Sequence, residues 1–180
     1  MNVATDARQD AFLALLERNK PILYKIVNAY AFAASDRDDL AAEAVAALWS
    51  AFPRYDASRR FSTWMYRVVL NVAISFARSE RRRSERRAPD GTLAEIDRAM
   101  PVPAENARVE RLAEIVAEMG ELDKALVLLY LDGEPYETIA SIVGLSETNV
   151  ATKLSRLKRR IKERLERDEA VAEGDERGTR

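Results

Sequence analysis

The chain has 180 residues, 33% charged and 47% hydrophobic, which suits a soluble globular protein with one large domain or two small ones. Cysteine and histidine are both absent, which excludes disulfides, Cys/His zinc sites, thiol nucleophiles and Ser-His-Asp chemistry. The 29 basic and 30 acidic side chains leave a net charge of −1, which taken alone argues against a nucleic-acid partner.

Apolar residues recur at helical spacing almost everywhere, and alternating β-branched runs are missing, so the predicted fold is all-α. A first helix is predicted over Asp6 to Asn19. A second starts with Pro21 in its first turn and runs to about Ala34, and Ser35 then caps a third from Asp36 to Ala51, which Pro53 ends. A loop over Arg54 to Arg60 precedes a long helix from Phe61, with Phe61, Met65, Val68, Val72 and Phe76 as its core face. Three prolines and Gly91 fall in a weakly periodic stretch, so residues 88–104 read as a linker between a domain over 1–87 and one over 105–167. The second domain offers helices near Glu105 to Glu118, Glu121 to Leu131, Pro135 to Val143 and Ser146 to Arg164, before a charged, frayed tail over 168–180. No stretch of 18 apolar residues and no basic-then-apolar start occurs, so the chain reads as cytoplasmic, with no membrane insertion.

The charges are segregated. Arg78 to Arg87 holds six arginines against two glutamates, and Ser146 to Arg164 holds seven basic residues against two glutamates. Asp36 to Glu43 has four acids and one arginine, and the tail is acidic as well. A total near zero therefore conceals two basic blocks, each ending an amphipathic helix, which is the footprint of polyanion binding; a solvated helix face is the plainer account of either block alone.

The segment from Pro135 to Val150 has helix-turn-helix spacing. Ala140 is small where two helices approach, Gly144 can take the positive φ that closes the first helix, and Ser146 can cap the second. Val150, Leu154, Leu157 and Ile161 form the predicted buried stripe of that second helix. Thr148, Thr152, Ser155 and Arg159 face the other way, flanked by Lys153, Arg156 and Arg160. Small hydroxyl residues near the start can approach base edges, and the longer cations beyond them reach phosphates.

On the helix from Phe61 a second line runs through Arg60, Trp64, Arg67, Asn71, Ser75 and Arg78. Cations that follow phosphates, an indole that stacks and an amide that pairs with a base edge suit single-stranded DNA; simple packing against the preceding helices is the alternative for Trp64. Asp36, Asp39 and Glu43 share an edge of the preceding helix beside Val45, Trp49 and Phe52. Without an oxygen-rich loop around them these carboxylates do not suggest a metal site, and a docking surface for a basic partner fits better. No cofactor and no catalytic residue is indicated.

Asp36-Arg-Asp-Asp-Leu-Ala-Ala-Glu43 with Leu48-Trp49, then Phe61-Ser-Thr-Trp-Met-Tyr-Arg-Val-Val-Leu-Asn71 and the arginines after it, resembles region 2 of the extracytoplasmic-function (ECF) sigma factors of the sigma-70 family. Leu112 through Glu121-Leu-Asp-Lys-Ala-Leu126 and Tyr136-Glu-Thr-Ile-Ala140 to Lys158 resembles region 4 of the same family. The resemblance covers about residues 10 to 165 in the right order. It implies a subunit of bacterial RNA polymerase, not an enzyme in its own right, with core polymerase, promoter DNA as duplex and as single strand, and an anti-sigma factor as partners. It further implies that Asp36, Asp39, Leu40, Glu43 and Trp49 dock on the polymerase. Arg59, Arg60, Ser62, Trp64, Arg67, Asn71 and Arg78 would meet the melted −10 element. Ser146, Thr148, Asn149, Thr152, Lys153, Ser155, Arg156, Arg159 and Arg160 would meet the −35 duplex. The chain departs from the family where Ala42 stands for a frequent Gln, Ser75 for a frequent Asp, and Ala151 for a frequent Lys or Arg. Two other readings compete: a DNA-binding regulator that uses the helix-turn-helix without polymerase, and a helical adaptor with no DNA role.

Overall fold

The computed structural model describes residues 3–87 and 107–178, with side chains for 7–83, 86 and 109–167. The chain divides into two compact units, Met1–Met100 and Pro101–Arg180. The linker expected over 88–104 lies outside the described residues. Among those residues all regular structure is helical.

In the first unit, α1 (Val3–Tyr30) is one helix where the sequence predicts two. Pro21 sits inside it and removes the N–H that would bond the Glu17 carbonyl, a defect that costs about 3 kcal/mol in a helix interior. The core-facing stripe nonetheless continues through it: Phe12, Leu16, Leu23, Ile26 and Tyr30 are apolar, and Asn19 is the polar member between them, at steps of 4, 3, 4, 3 and 4. Phe12, Leu23, Ile26 and Tyr30 are buried. Each such side chain contributes about 1.5–3 kcal/mol by leaving water, so the stripe outweighs the proline. Asn19 Nδ2 also donates to the Leu15 carbonyl at 2.8 Å, just before the proline.

Helix α2 (Ala34–Ala51) starts two residues earlier than predicted. Its N-cap is Ala33, without a side-chain cap, and Ser35 lies inside the first turn. Asp36 in that turn complements the helix dipole, and Arg37 Nη1 donates to the Phe32 carbonyl at 2.7 Å across the entry. Pro53 ends the helix as expected, through a 3-10 turn over Phe52–Arg54.

Helix α3 (Phe61–Arg87) packs against both α1 and α2. A helix between two neighbours buries a wider arc than one periodic line, and this turns the core face. Phe61 and Met65 are buried as predicted, but Tyr66, Val69, Leu70 and Ala73 complete the face. Val68, Val72 and Phe76 are only half-buried, on its flank.

The second unit contains α4 (Ala107–Ala117), α5 (Glu121–Leu131), α6 (Tyr136–Val143) and α7 (Glu147–Gly178). Its core joins Ile115, Leu126, Leu129, Ile139, Val150 and Leu154, and Lys124 is buried beside them. Burial lowers the Lys124 pKa, with Glu121 one turn earlier opposing that shift. Gly133 closes α5 at φ 74°, with the Glu134 N–H bonding the Leu129 carbonyl at 3.1 Å and the Gly133 N–H bonding the Tyr130 carbonyl at 3.0 Å. Helix α7 continues past the predicted end near Arg164 to Gly178. Strong helix formers and the i,i+4 pairs Arg159–Glu163 (3.8 Å) and Lys162–Glu166 (3.6 Å) explain the extension. The side chains of the predicted tail, 168–180, lie outside the described residues.

Gly144 ends α6 in the left-handed region at φ 73°, and its N–H bonds the Ala140 carbonyl at 2.9 Å. A Cβ there meets nothing within 4 Å, so the cost of a substitution is conformational rather than steric. Gly144→Ala is expected to destabilise the chain by about 1–2 kcal/mol, and Gly144→Asn by less, because asparagine visits this region more readily. Thermal unfolding of the two variants beside the parent checks the order.

Candidate nucleic-acid and polymerase interfaces

Along α3 the structure separates two faces. Arg67, Asn71, Ser75 and Arg78 are exposed in one line, and exposed Arg60 immediately precedes the helix. This line lies opposite the side that carries Met65, Val69 and Ala73. Ser75 Oγ donates to the Asn71 carbonyl at 2.8 Å, so the serine is used locally and the Asn71 amide projects from an exposed position. Trp64 is half-buried and belongs to an aromatic cluster, with ring centroids 5.1 Å from Tyr55, 5.2 Å from Phe61 and 6.3 Å from Phe52. Packing thus holds one part of the indole while another stays accessible. Ser62 does not join the line. It shares the register of Tyr66, Val69 and Ala73, at steps of 4, 3 and 4, and is half-buried on the core side. It therefore stands apart from the line that carries Arg67 and Asn71.

The loop before α3 adds exposed Arg59 and Arg60. Arg59 Nε lies 3.7 Å from Asp56 Oδ2. Hydrogen bonding from Ser58 holds the Asp56 carboxyl below its usual pKa. Sequence reasoning missed the ring cluster. Its signal was the density of aromatic residues between Trp49 and Trp64, which periodicity alone does not weigh.

On α2, Asp39 and Glu43 are exposed and Asp36 is half-buried. Leu40 is wholly buried in the core with Ala44 and Leu48, so its side chain is closed to a partner and the predicted docking role is corrected to a core role. Trp49 is half-buried, 5.1 Å from the Phe12 ring centroid, and the Arg8 guanidinium lies 5.5 Å from its own ring centroid. Between α1 and α2 runs an open apolar groove of about 720 Å³, lined by Leu13, Tyr24, Ala42, Val45 and Trp49 among others. Leu13 is 49% and Tyr24 58% exposed, which is unusual for such large apolar side chains. Ala42, where the family often has Gln, forms part of that groove.

In the second unit the α6–α7 pair has the expected geometry. Ser146 Oγ accepts from the Asn149 N–H at 3.3 Å and caps α7, and Thr152 Oγ1 donates to the Thr148 carbonyl at 2.9 Å. Val150, Leu154 and Leu157 are buried, and Ile161 is half-buried. Ser146, Thr148, Asn149, Thr152, Ser155, Arg156, Arg159 and Arg160 are all exposed. Lys153 differs: it is half-buried and reaches back to Asp123 of α5, with Nζ 3.8 Å from Oδ1. Lys158 Nζ lies 4.9 Å from the Tyr130 ring centroid and 3.5 Å from the Tyr136 hydroxyl, a link between three helices that sequence spacing does not reveal. The hydroxyl of Tyr136 raises the Lys158 pKa, so this cation stays charged. A second apolar groove of about 370 Å³ lies among α4, α5 and α7, lined by Leu112, Tyr130, Leu131, Lys158 and Ile161 among others.

Among the described residues no cluster of acids suits a metal ion, and no helix is long and apolar enough to cross a membrane.

Comparison with known proteins agrees with that geometry. The family model for sigma-70 region 2 matches residues 15–83, and that for sigma-70 region 4 matches residues 110–161. The chain is 30% identical over 148 residues to the probable RNA polymerase sigma factor RfaY of Xanthomonas campestris pv. campestris, covering 78% of this chain but only 37% of that protein. It is 26% identical over 177 residues to the RNA polymerase sigma factor CnrH of Cupriavidus metallidurans, covering 92% of each. Its fold resembles that of the sigma factor RpoE in complex with the anti-sigma factor NepR from Bartonella quintana, with a TM-score of 0.67 and 18% identity over 89% of this chain and 97% of the other.

Proposed function

The chain belongs to the sigma-70 family, with regions 2 and 4 of the ECF type, and we propose that it binds core RNA polymerase and directs it to a set of promoters by reading the −35 duplex and the melted −10 element. The carrying observation is the coexistence of three distinct exposed faces: an acidic edge beside an apolar groove on α2, a cationic and amide line on α3, and a hydroxyl and cationic face on α7. A duplex-binding regulator needs only the third.

Each face has a task. Asp36, Asp39, Glu43 and Trp49 would hold the polymerase, with the groove receiving apolar side chains and the acids fixing register against a basic partner. Arg59, Arg60, Trp64, Arg67, Asn71 and Arg78 would grip the unpaired non-template strand. Extruding a base costs a few kcal/mol, which stacking and hydrogen bonds at the site offset. Thr148, Asn149, Thr152 and Ser155 would approach base edges in the major groove while Arg156, Arg159 and Arg160 neutralise phosphates. Lys153 rests against Asp123, and because such a partly exposed ion pair is worth only about 0–1 kcal/mol the lysine can leave it for a phosphate. The bond-making chemistry belongs to the polymerase, so the protein acts in the cytoplasm without being an enzyme itself. An anti-sigma factor would act by covering the same polymerase-facing surfaces.

Footprinting tests the reading. The chain together with core polymerase should protect an upstream duplex segment and render thymines in a second, downstream segment reactive to permanganate. The chain alone should give no reactive thymines. Reactive thymines without polymerase, or protection of the upstream segment only, would favour the stand-alone regulator. Arg156→Ala should weaken binding to the upstream duplex and lower the slope of log affinity against log salt by about one unit, as expected for one lost phosphate contact. An unchanged salt slope means that this face does not meet DNA.

A further inference from the structure

The loop Tyr55 to Arg60, which joins the 3-10 turn to α3, is closed by its own side chains. Tyr55 Oη donates to the Arg59 carbonyl at 2.6 Å. Asp56 Oδ1 accepts from the Ser58 N–H at 3.0 Å, and the Arg59 N–H donates to the Asp56 carbonyl at 3.0 Å. Arg59 Nε completes the set at 3.7 Å from Asp56 Oδ2. Yet Asp56, Ala57, Ser58, Arg59 and Arg60 are all exposed, so this order is not imposed by burial.

What anchors the loop is the ring of Tyr55. It stacks on Phe52 at 5.9 Å and 14°, meets Phe61 edge-on at 5.4 Å and lies 5.1 Å from Trp64. Phe61 is itself only 6% exposed. One end of the tyrosine is therefore fixed in packed structure, and its hydroxyl carries that fixity out to Arg59. The hydroxyl thus ties the Arg59 carbonyl to the aromatic cluster, next to the bond from the Trp64 N–H to the Arg60 carbonyl (3.3 Å) that opens α3.

We propose that Tyr55 is a positioning residue of the −10 site, whose hydroxyl holds the loop in the shape that discriminates between captured bases. The inference rests on the −10 reading given above. Cations and aromatic faces grip single strands with little regard to sequence, because every base has a π-face and every nucleotide a phosphate. Discrimination requires polar groups whose positions are fixed before the base arrives, since a loop that relaxes can satisfy the wrong base as well as the right one. Loss of the Tyr55 O–H should thus cost base choice and leave general strand affinity in place.

The test uses the full chain assembled with core polymerase and a pool of fork-junction DNAs whose unpaired non-template nucleotides are randomised. The parent is expected to enrich one base at one or more unpaired positions. Tyr55→Phe keeps the ring and its packing, and should lower that enrichment about fivefold, the ratio one net hydrogen bond supports. Total DNA retained should stay within about twofold, because the stacking and phosphate contacts persist. Phe52→Leu, which loosens the ring packing and leaves the hydroxyl, should lower the unfolding midpoint more than it alters base preference. Equal enrichment by the parent and Tyr55→Phe overturns the proposal while leaving the −10 reading intact. A fall in enrichment that only follows a fall in unfolding midpoint, in both variants alike, also overturns it by reducing Tyr55 to a packing residue. A parent that enriches no base at any unpaired position overturns the −10 reading, and the inference with it.

Discussion

Replacing Asp39 and Glu43 together by lysine is expected to weaken association with core RNA polymerase by about 100-fold or more, since placing like charges together across an interface costs several kcal/mol. Both side chains are exposed on α2, and the core contacts of that helix come from Leu40, Ala44 and Leu48 on another face. The fold should therefore survive. Lysine is also a better helix former than aspartate, so helix content should not fall. The adjoining groove, with Leu13 and Tyr24 exposed, remains in the double variant and would keep any residual affinity. Sedimentation or gel filtration with core polymerase measures the loss, and circular dichroism establishes that the helices remain. Full association of the folded variant would remove α2 from the polymerase interface.

Asn71→Ala carries the second large effect. Its side chain is exposed on the line that also holds Arg67 and Arg78, and Ser75 bonds only its backbone carbonyl, which the substitution keeps. Alanine favours the helix, so stability should hold or rise slightly. A side-chain amide bonding a base edge is worth about 1–3 kcal/mol, so promoter opening should slow by about 5-fold to 100-fold. Association with core polymerase should be unaffected. Opening followed by permanganate reactivity or by a fluorescent base near the start site reads the effect directly. An unchanged opening rate would move the −10 pocket off this face of α3.

Much of this was legible in the sequence because it depends on local rules. The α6–turn–α7 pair follows from Ala140, Gly144 and Ser146, each with a backbone or close-approach reason to be where it is, and the structure places Gly144 at φ 73° and Ser146 as the α7 cap. The exposed line on α3 follows from helical spacing alone. What was not legible depends on tertiary partners. Pro21 looks like a helix start until the stripe from Phe12 to Tyr30 is seen to have a common core to bury into. Leu40 looks like an interface residue until it proves wholly buried in the core of the first unit, and Ser62 looks like part of the exposed α3 line until its register falls with Tyr66 and Val69. The reach of Lys153 to Asp123 and of Lys158 to Tyr130 and Tyr136 crosses between helices, and no spacing within one helix encodes it.

The net charge of −1 conceals two basic blocks, Arg78 to Arg87 and Ser146 to Arg164, offset by an acidic edge on α2 and an acidic C-terminal stretch. Segregation, rather than the total, lets a single small chain address DNA and a protein partner.

Run-off transcription with core polymerase tests this account most directly. Adding the chain to core polymerase on templates cut from its source genome should yield discrete transcripts from a small set of start sites, and the Asp39, Glu43 double lysine variant should yield none of them. Duplex binding by the chain with no promoter-specific transcript from any template would contradict it.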